Sequence, residues 1–207
     1  MSGRAVSFRL YLITDGAGAE VCRRVERALG GAPPGSVAVQ LRAKQLEGGA
    51  LLAAGRELMA ITARYGAPLF INDRVDVALL VGAAGAHLPA RGLPVKVARR
   101  IAPDLWLGAS THSLAEARMA VAGGADFVTF GPVWATPSKA GMGEPVGVAA
   151  LGEVVRAVSV PVFALGGVDG ERAGECVAVG ARLACIRAVL DAEDPAAAVA
   201  RLVAAAG

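Results

Sequence analysis

The sequence predicts an α/β fold, a single (β/α)8 TIM barrel over residues 1–207, on three observations. Short apolar runs alternate with longer Ala-rich segments of helical period, the form of repeated βα units. Eight such runs follow one another along the chain. Each run is almost continuously hydrophobic rather than alternating, as a strand must be when helices cover one face and barrel side chains the other. A length of 207 residues suits one domain, near the lower end of what eight units require.

In chain order the strand segments are LYLIT (10–14), VAVQL (37–41), PLFIN (68–72), GAHL (85–88), LWLGA (105–109), FVTFG (127–131), PVFALG (161–166) and LACIR (183–187). Between them, segments such as GALLAAGRELMAITARYG (49–66) and SLAEARMAVAGG (113–124) mix Ala, Leu, Arg and Glu in helix-favouring proportion. Ser113 and Glu116 have the spacing of a capping box, and Gly123-Gly124 supplies a left-handed stop. An open doubly wound sheet is the competing architecture. Its first turn usually carries a Gly-rich dinucleotide fingerprint, and LYLITDGAGAE lacks both that spacing and the acidic residue about twenty positions later. The regular strand count favours closure.

Composition narrows the function classes. Hydrophobic residues make up 55% of the chain and mean hydropathy is +0.52, yet no apolar run reaches the roughly 18 residues of a membrane span. The apolar content therefore reads as core, with no membrane partner. The opening MSGRAVSFRL has no apolar stretch of about 7–15 residues with a small-residue cleavage site, so a cytoplasmic protein is expected. Cys22, Cys176 and Cys185 are odd in number, far apart and without metal spacing, which suits small buried hydrophobes. The net charge of +3 comes from scattered residues, and aromatic residues are only 4%, so a nucleic-acid surface is not expected. A modest positive balance suits anionic small molecules.

Active sites of such barrels lie at the carboxyl ends of the strands, so the polar residues after each run are the candidates. Run two ends in QLRAK. Gln40, Arg42 and Lys44 alternate, and on extended backbone they share a face toward one anion. Run three ends in INDR, where Asp73 can ligate a hard cation and Asn72 can donate to phosphate, although both types also serve turns and helix caps. Run five leads into Ser110, Thr111, His112 and Ser113: hydroxyl donors, a group that exchanges protons near neutral pH, and candidate caps. His87, inside run four, reads as core. The long segment after run six carries Thr136, Ser138 and Lys139, a compact donor cluster, with Gly141 and Gly143 for movement. Gly166-Gly167 after run seven allows backbone N–H groups close to a phosphate, where barrels often build such a site.

Taken together in order, LYLITD, QLRAK, INDRVDVALLVGAAGAHL, LGASTHS, GADFVTFGPVWATPSK and PVFALGGV resemble the motifs of the thiamine phosphate synthase and thiazole tautomerase superfamily, over about residues 10–190. For a synthase the resemblance implies a transferase of thiamine biosynthesis. A hydroxymethylpyrimidine diphosphate loses pyrophosphate, and the thiazole phosphate nitrogen attacks the resulting cation. It further implies that Gln40, Arg42, Lys44, Asn72, Thr136, Ser138 and Lys139 hold the diphosphate, that Asp73 ligates Mg²⁺, and that Gly166, Gly167 and the end of strand eight take the thiazole phosphate. Ser110 joins the substrate-binding set, with Lys139, Lys44 and His112 as the catalytic candidates. The expected partners are small phosphate and diphosphate substrates, with a homo-oligomer left open.

Two positions depart from the synthase pattern. After strand four the pattern HLGQxDLP becomes HLPARGLP, so Gly92 stands where the second metal carboxylate is expected. At the end of strand eight, CIRAV places Arg187 near an expected serine, where it would strengthen phosphate binding or fill the thiazole site. The related tautomerases also lack that second carboxylate. In them the strand-five histidine, here His112, moves a proton on a thiazole phosphate carboxylate, so a tautomerase is the alternative, beside a barrel that binds phosphate ligands without turnover.

Overall fold

A computed structural model describes residues 5–136 and 144–207. Eight parallel strands close on themselves in chain order: β1 (Leu10–Ile13), β2 (Val37–Leu41), β3 (Leu69–Asn72), β4 (Gly85–Leu88), β5 (Trp106–Thr111), β6 (Phe127–Phe130), β7 (Val162–Ala164) and β8 (Arg182–Cys185). Closure is made by β8 against β1, with Leu10 opposite Leu183 and Leu12 opposite Cys185. The helices are α1 (Ala19–Leu29), α2 (Gly48–Arg64), α3 (Val75–Val81), α4 (Val95–Ile101), α5 (Leu114–Ala122), α6 (Gly147–Ala157), α7 (Ala173–Ala178), the short α8 (Arg187–Leu190) and α9 (Pro195–Ala205). The expected barrel and all eight strand positions are found, β2 and β4 with the expected bounds and the others with ends moved by one or two residues.

Period-two alternation divides each strand between two cores. Outward residues such as Leu10, Leu12, Val37, Val39 and Leu41 pack against the helices. Inward residues fill the barrel with aromatic rings: Tyr11 of β1, Phe70 of β3, Phe127 of β6 and Phe163 of β7, all fully buried. Phe8, which precedes β1, stacks on Phe163 at 5.1 Å between centroids and meets Phe127 edge-on at 5.5 Å, so it plugs the amino-terminal end. Arg182 of β8 holds that plug by donating to the Val6 and Phe8 carbonyls, both at 2.8 Å.

The capping expectation at α5 is met in part. Ser113 Oγ accepts from Glu116 N at 3.2 Å, whereas the Glu116 carboxylate reaches one residue further back and accepts from His112 N at 2.7 Å. Gly124 takes the left-handed backbone after α5, with φ 95°. Strand five runs longer than expected, so Ser110 and Thr111 lie inside β5 rather than after it. Thr111 is buried and donates to the Thr129 carbonyl at 2.9 Å, a sheet contact and not a cap. All three cysteines are buried and free. Burial pushes the Cys176 and Cys185 thiols up to about 12, so they behave as the apolar filler the sequence indicates. Among the described residues no helix is long and apolar enough to cross a membrane.

Candidate active site

Thr14, at the end of β1 and fully buried, donates to the Gly16 carbonyl at 2.8 Å and accepts from Arg42 N at 2.9 Å, fixing the backbone where β2 ends. Gln40 lies within β2, buried, and its amide donates to Asn72 Oδ1 at 3.1 Å. The alternation argument thus joins Gln40 to Arg42, which is half-buried, and β3 brings Asn72 beside them. Lys44 stands in the turn beyond, exposed, so the extended shared face does not reach it. Burial pulls the Arg42 guanidinium below its ordinary value while leaving it charged.

Asp73 follows directly. Its N–H is spent on the His87 carbonyl at 2.8 Å, and its backbone is left-handed, φ 65°, which is uncommon for a residue other than glycine. Strain of this kind concentrates where the surroundings fix a functional side chain. Asp73 is exposed, and a Cβ placed on Gly92 would stand 2.7 Å from Asp73 Oδ1. The β4–α4 loop therefore meets the β3 carboxylate, and Gly92 contributes backbone where the synthase pattern supplies a second acid. Among the described residues no three His, Cys, Asp or Glu side chains cluster as metal ligands.

His87 is buried at 2% exposure, in agreement with its reading as core, but it is also part of the floor of the site. Its Nε2 lies 3.0 Å from Ser110 Oγ, while Nδ1 has no hydrogen-bond partner among the described residues. An orphaned buried N–H is rarer than an orphaned acceptor, so the proton belongs on Nε2. Ser110 then accepts from His87, which leaves its own O–H able to donate. Sequence reasoning assigned Ser110 to the site but missed its partner. Only the pairing of β4 with β5, His87 opposite Gly108, brings the two together.

Burial, with a smaller contribution from the Arg42 charge, lowers His87 from 6.5 to about 3. The unfolded chain therefore binds a proton that the folded chain refuses between about pH 6.5 and pH 3. Folding stability is expected to fall as pH drops through this window, by at most about 1.4 kcal/mol per pH unit. Urea denaturation between pH 4.5 and 7 measures it. His87→Gln should flatten the slope, and equal slopes would remove this group from the account.

His112, just past β5 and half-buried, holds the Gly131 carbonyl through Nδ1 at 2.5 Å. Because a carbonyl only accepts, Nδ1 carries the proton and Nε2 is left as the basic nitrogen.

Across the barrel mouth, the segment after β6 is tied to the end of β7: Val133 N donates to the Leu165 carbonyl and Trp134 N to Gly166 O, both at 3.0 Å. Gly166 and Gly167 have φ of 98° and 70°, and a Cβ on either would come within 2.7 Å of Pro132 or Trp134. Only glycine fits this double approach. Arg172 steadies the turn, donating to the Gly167 carbonyl at 3.0 Å with its guanidinium 5.4 Å from the Trp134 ring centre. A cavity of about 450 Å³ opens here, lined by Thr136, Gly166, Gly167, Arg172, Ile186 and Arg187. Arg187 Nη2 donates to Thr136 Oγ1 at 3.0 Å. The expected Ser138 and Lys139, with Gly141 and Gly143, lie outside the described residues.

Residues 10–189 match the family model described as thiamine monophosphate synthase. A putative thiamine-phosphate synthase of Geobacter sulfurreducens is 46% identical over 195 residues, covering 92% of this chain and 90% of that protein. The thiamine-phosphate synthase of Anaeromyxobacter dehalogenans is 46% identical over 198 residues, covering 95% and 86%. Among solved structures, a thiamine phosphate pyrophosphorylase from Pyrococcus furiosus superposes with a TM-score of 0.87 at 36% identity, covering 97% of this chain and 96% of that one.

Proposed function

The chain belongs to the thiamine monophosphate synthase family, and from that premise we propose that its barrel joins hydroxymethylpyrimidine diphosphate to thiazole phosphate, releasing pyrophosphate and thiamine phosphate. The observation that carries this reading is the presence of two anion-receptive regions at one barrel mouth. Gln40, Arg42, Asn72 and Asp73 gather at the ends of β2 and β3, while Gly166, Gly167 and Arg187 line the cavity at β7 and β8. A diphosphate held in the first region and a monophosphate in the second place the pyrimidine methylene and the thiazole nitrogen between them. The C–O bond to the diphosphate breaks with its electron pair, and the nitrogen lone pair then forms the C–N bond.

In this scheme the protein acts mainly on the charge that grows on the leaving pyrophosphate. Arg42, Lys44 and Lys139 supply cations, while Thr136, Ser138 and Ser110 supply hydroxyl donors. Asp73 would hold Mg²⁺, with water and diphosphate oxygens completing its shell, as a cation bound through one carboxylate plus substrate phosphate requires. The bound ion would neutralise part of the developing negative charge. Three buried, unpaired cysteines suit a reducing compartment such as the cytoplasm. The direct test supplies both substrates to the purified protein, with and without Mg²⁺, and follows thiamine phosphate. None formed at saturating Mg²⁺ would sink the reading.

The contact between Gly92 and Asp73 gives a second expectation. A carboxylate introduced by Gly92→Asp would stand beside Asp73, once Pro89, 2.8 Å from the new Cβ, gives way. A second acidic ligand should lower the Mg²⁺ concentration for half-maximal rate by roughly tenfold, since charge count tunes such sites. Calorimetry of Mg²⁺ binding in the presence of pyrophosphate should show the same gain without turnover. An unchanged affinity would mean that this loop does not reach the metal.

A further inference from the structure

We propose that His87 is a positioning residue for the transfer reaction: it orients the Ser110 hydroxyl as a donor to the diphosphate, and it acts on the substrate only through that hydroxyl. This role rests on the synthase reading above. Its starting point is a side chain that is costly where it stands. His87 lies among rings inside the barrel, 5.5 Å from Tyr11 and 5.8 Å from Phe127 between centroids. Nδ1 is buried there without a partner among the described residues, so an apolar side chain of similar size would stabilise the barrel more. A buried unsatisfied group calls for a compensating role. The other ring nitrogen, Nε2, has one, 3.0 Å from Ser110 Oγ.

The imidazole has little freedom to point elsewhere. Gly108 stands opposite His87 in the β4–β5 pairing, and a Cβ there would come within 2.6 Å of His87 Nδ1 and 2.4 Å of the Phe127 ring. Glycine at 108 therefore makes the space that the imidazole fills. His87 is 2% exposed, whereas Ser110 is half-buried. The histidine is the fixed, covered member of the pair, and the serine is the member closer to solvent.

The tautomer sets the polarity of the pair. Phosphate oxygens accept, so a hydroxyl serves a diphosphate only as a donor. A proton on Nδ1 would make Nε2 the acceptor of the Ser110 proton and turn oxygen lone pairs toward the anion. With the proton on Nε2, the imidazole occupies a lone pair of Ser110 Oγ and restricts the O–H to directions away from the ring. Burial lowers the ionisation of the ring to about 3, so it stays neutral and adds no charge of its own. The neighbouring strands repeat the device: buried Gln40 of β2 donates to Asn72 Oδ1 on β3, which turns the Asn72 amide N–H₂ away from Gln40. Donors whose directions are set before the substrate arrives stabilise developing charge most effectively.

A double-substitution cycle on kcat/KM for thiamine phosphate formation measures whether His87 acts through Ser110. Ser110→Ala and His87→Leu should each lower kcat/KM by about tenfold, the scale of one lost hydrogen bond to a charged group. His87→Gln, which keeps an N–H at the end of its side chain, should recover most of that loss. In the Ser110→Ala background, His87→Leu should cost less than about twofold more. A histidine that only supports the packing gives losses that multiply, because its removal acts whether or not residue 110 has a hydroxyl. Multiplying losses, or a His87→Leu enzyme as active as the wild type, overturn the proposal. The wild type supplies a readout that needs no substitution. With only two histidines in the chain, ¹⁵N-labelled imidazole resonances distinguish the rings, and His87 should appear as the neutral Nε2–H tautomer at about pH 7. An Nδ1–H tautomer overturns the proposal even where the leucine variant fails to fold. Each of these failures leaves the synthase reading standing, whereas a wild type that makes no thiamine phosphate overturns that reading and this role with it.

Discussion

Replacing Arg42 by alanine is expected to lower kcat/KM for thiamine phosphate formation by about 10²- to 10³-fold, or roughly 3–4 kcal/mol of transition-state stabilisation. The size follows from its setting. The backbone of Arg42 is locked to buried Thr14, and its guanidinium is half-buried at the end of a strand whose other polar group, Gln40, is held by Asn72. A partly desolvated cation mounted on so fixed a backbone needs little reorganisation when charge moves onto the leaving diphosphate. Arg42→Lys should recover only part of the loss, because an ammonium lacks the fork. His112→Ala is the contrast, expected to cost about tenfold, since ionisation of a diphosphate needs charge stabilisation more than proton transfer. The alternative activity reverses this order. In a tautomerase, removing the His112 base would cost about 10²- to 10⁴-fold and Arg42 would matter little. Following thiamine phosphate and, separately, solvent deuterium uptake into the thiazole phosphate carboxylate in both variants decides it. Ready exchange without thiamine phosphate, lost only in His112→Ala, would overturn the synthase assignment.

The largest expected effect on stability is at the other end of the barrel. Phe8→Ala should destabilise the protein by about 3–5 kcal/mol, the range for deleting a buried aromatic ring from a core that relaxes only in part. Phe8 has no exposed surface, and its ring lies within 5.1–6.5 Å, centre to centre, of Tyr11, Phe70, Trp106, Phe127 and Phe163. These rings are anchored on five different strands, so none can swing into the space without distorting the barrel wall. Phe8→Leu, which keeps most of the volume, should cost less than half as much. For a domain of this size the alanine loss corresponds to a melting temperature lower by roughly 6–20 °C. A shift of under about 2 °C would mean that the amino-terminal plug is dispensable.

The barrel was legible in the sequence because its signals are local. Eight apolar runs with helical spacers are set by periodicities of a few residues, and the candidates at strand ends, from Gln40 and Asn72 to Gly166 and Gly167, follow from where runs stop. Family motifs carried the chemistry further, to diphosphate, thiazole phosphate and the departures at Gly92 and Arg187. Closure decided the rest. His87 reads as filler until β4 lies against β5 and brings it to Ser110, 23 residues away. The segment before β1 gives no sign that Phe8 will be the hub of a ring cluster, because its partners come from strands up to β7. Gly92 reads as a missing ligand, and only the fold shows it against Asp73; Arg187 and Thr136 meet across 51 residues for the same reason. Backbone preferences and hydrophobic period act between near neighbours, so a single sequence determined the strands, the helices and the end of the barrel where chemistry collects. Which polar side chains satisfy one another depends on pairings that exist only when the eighth strand meets the first.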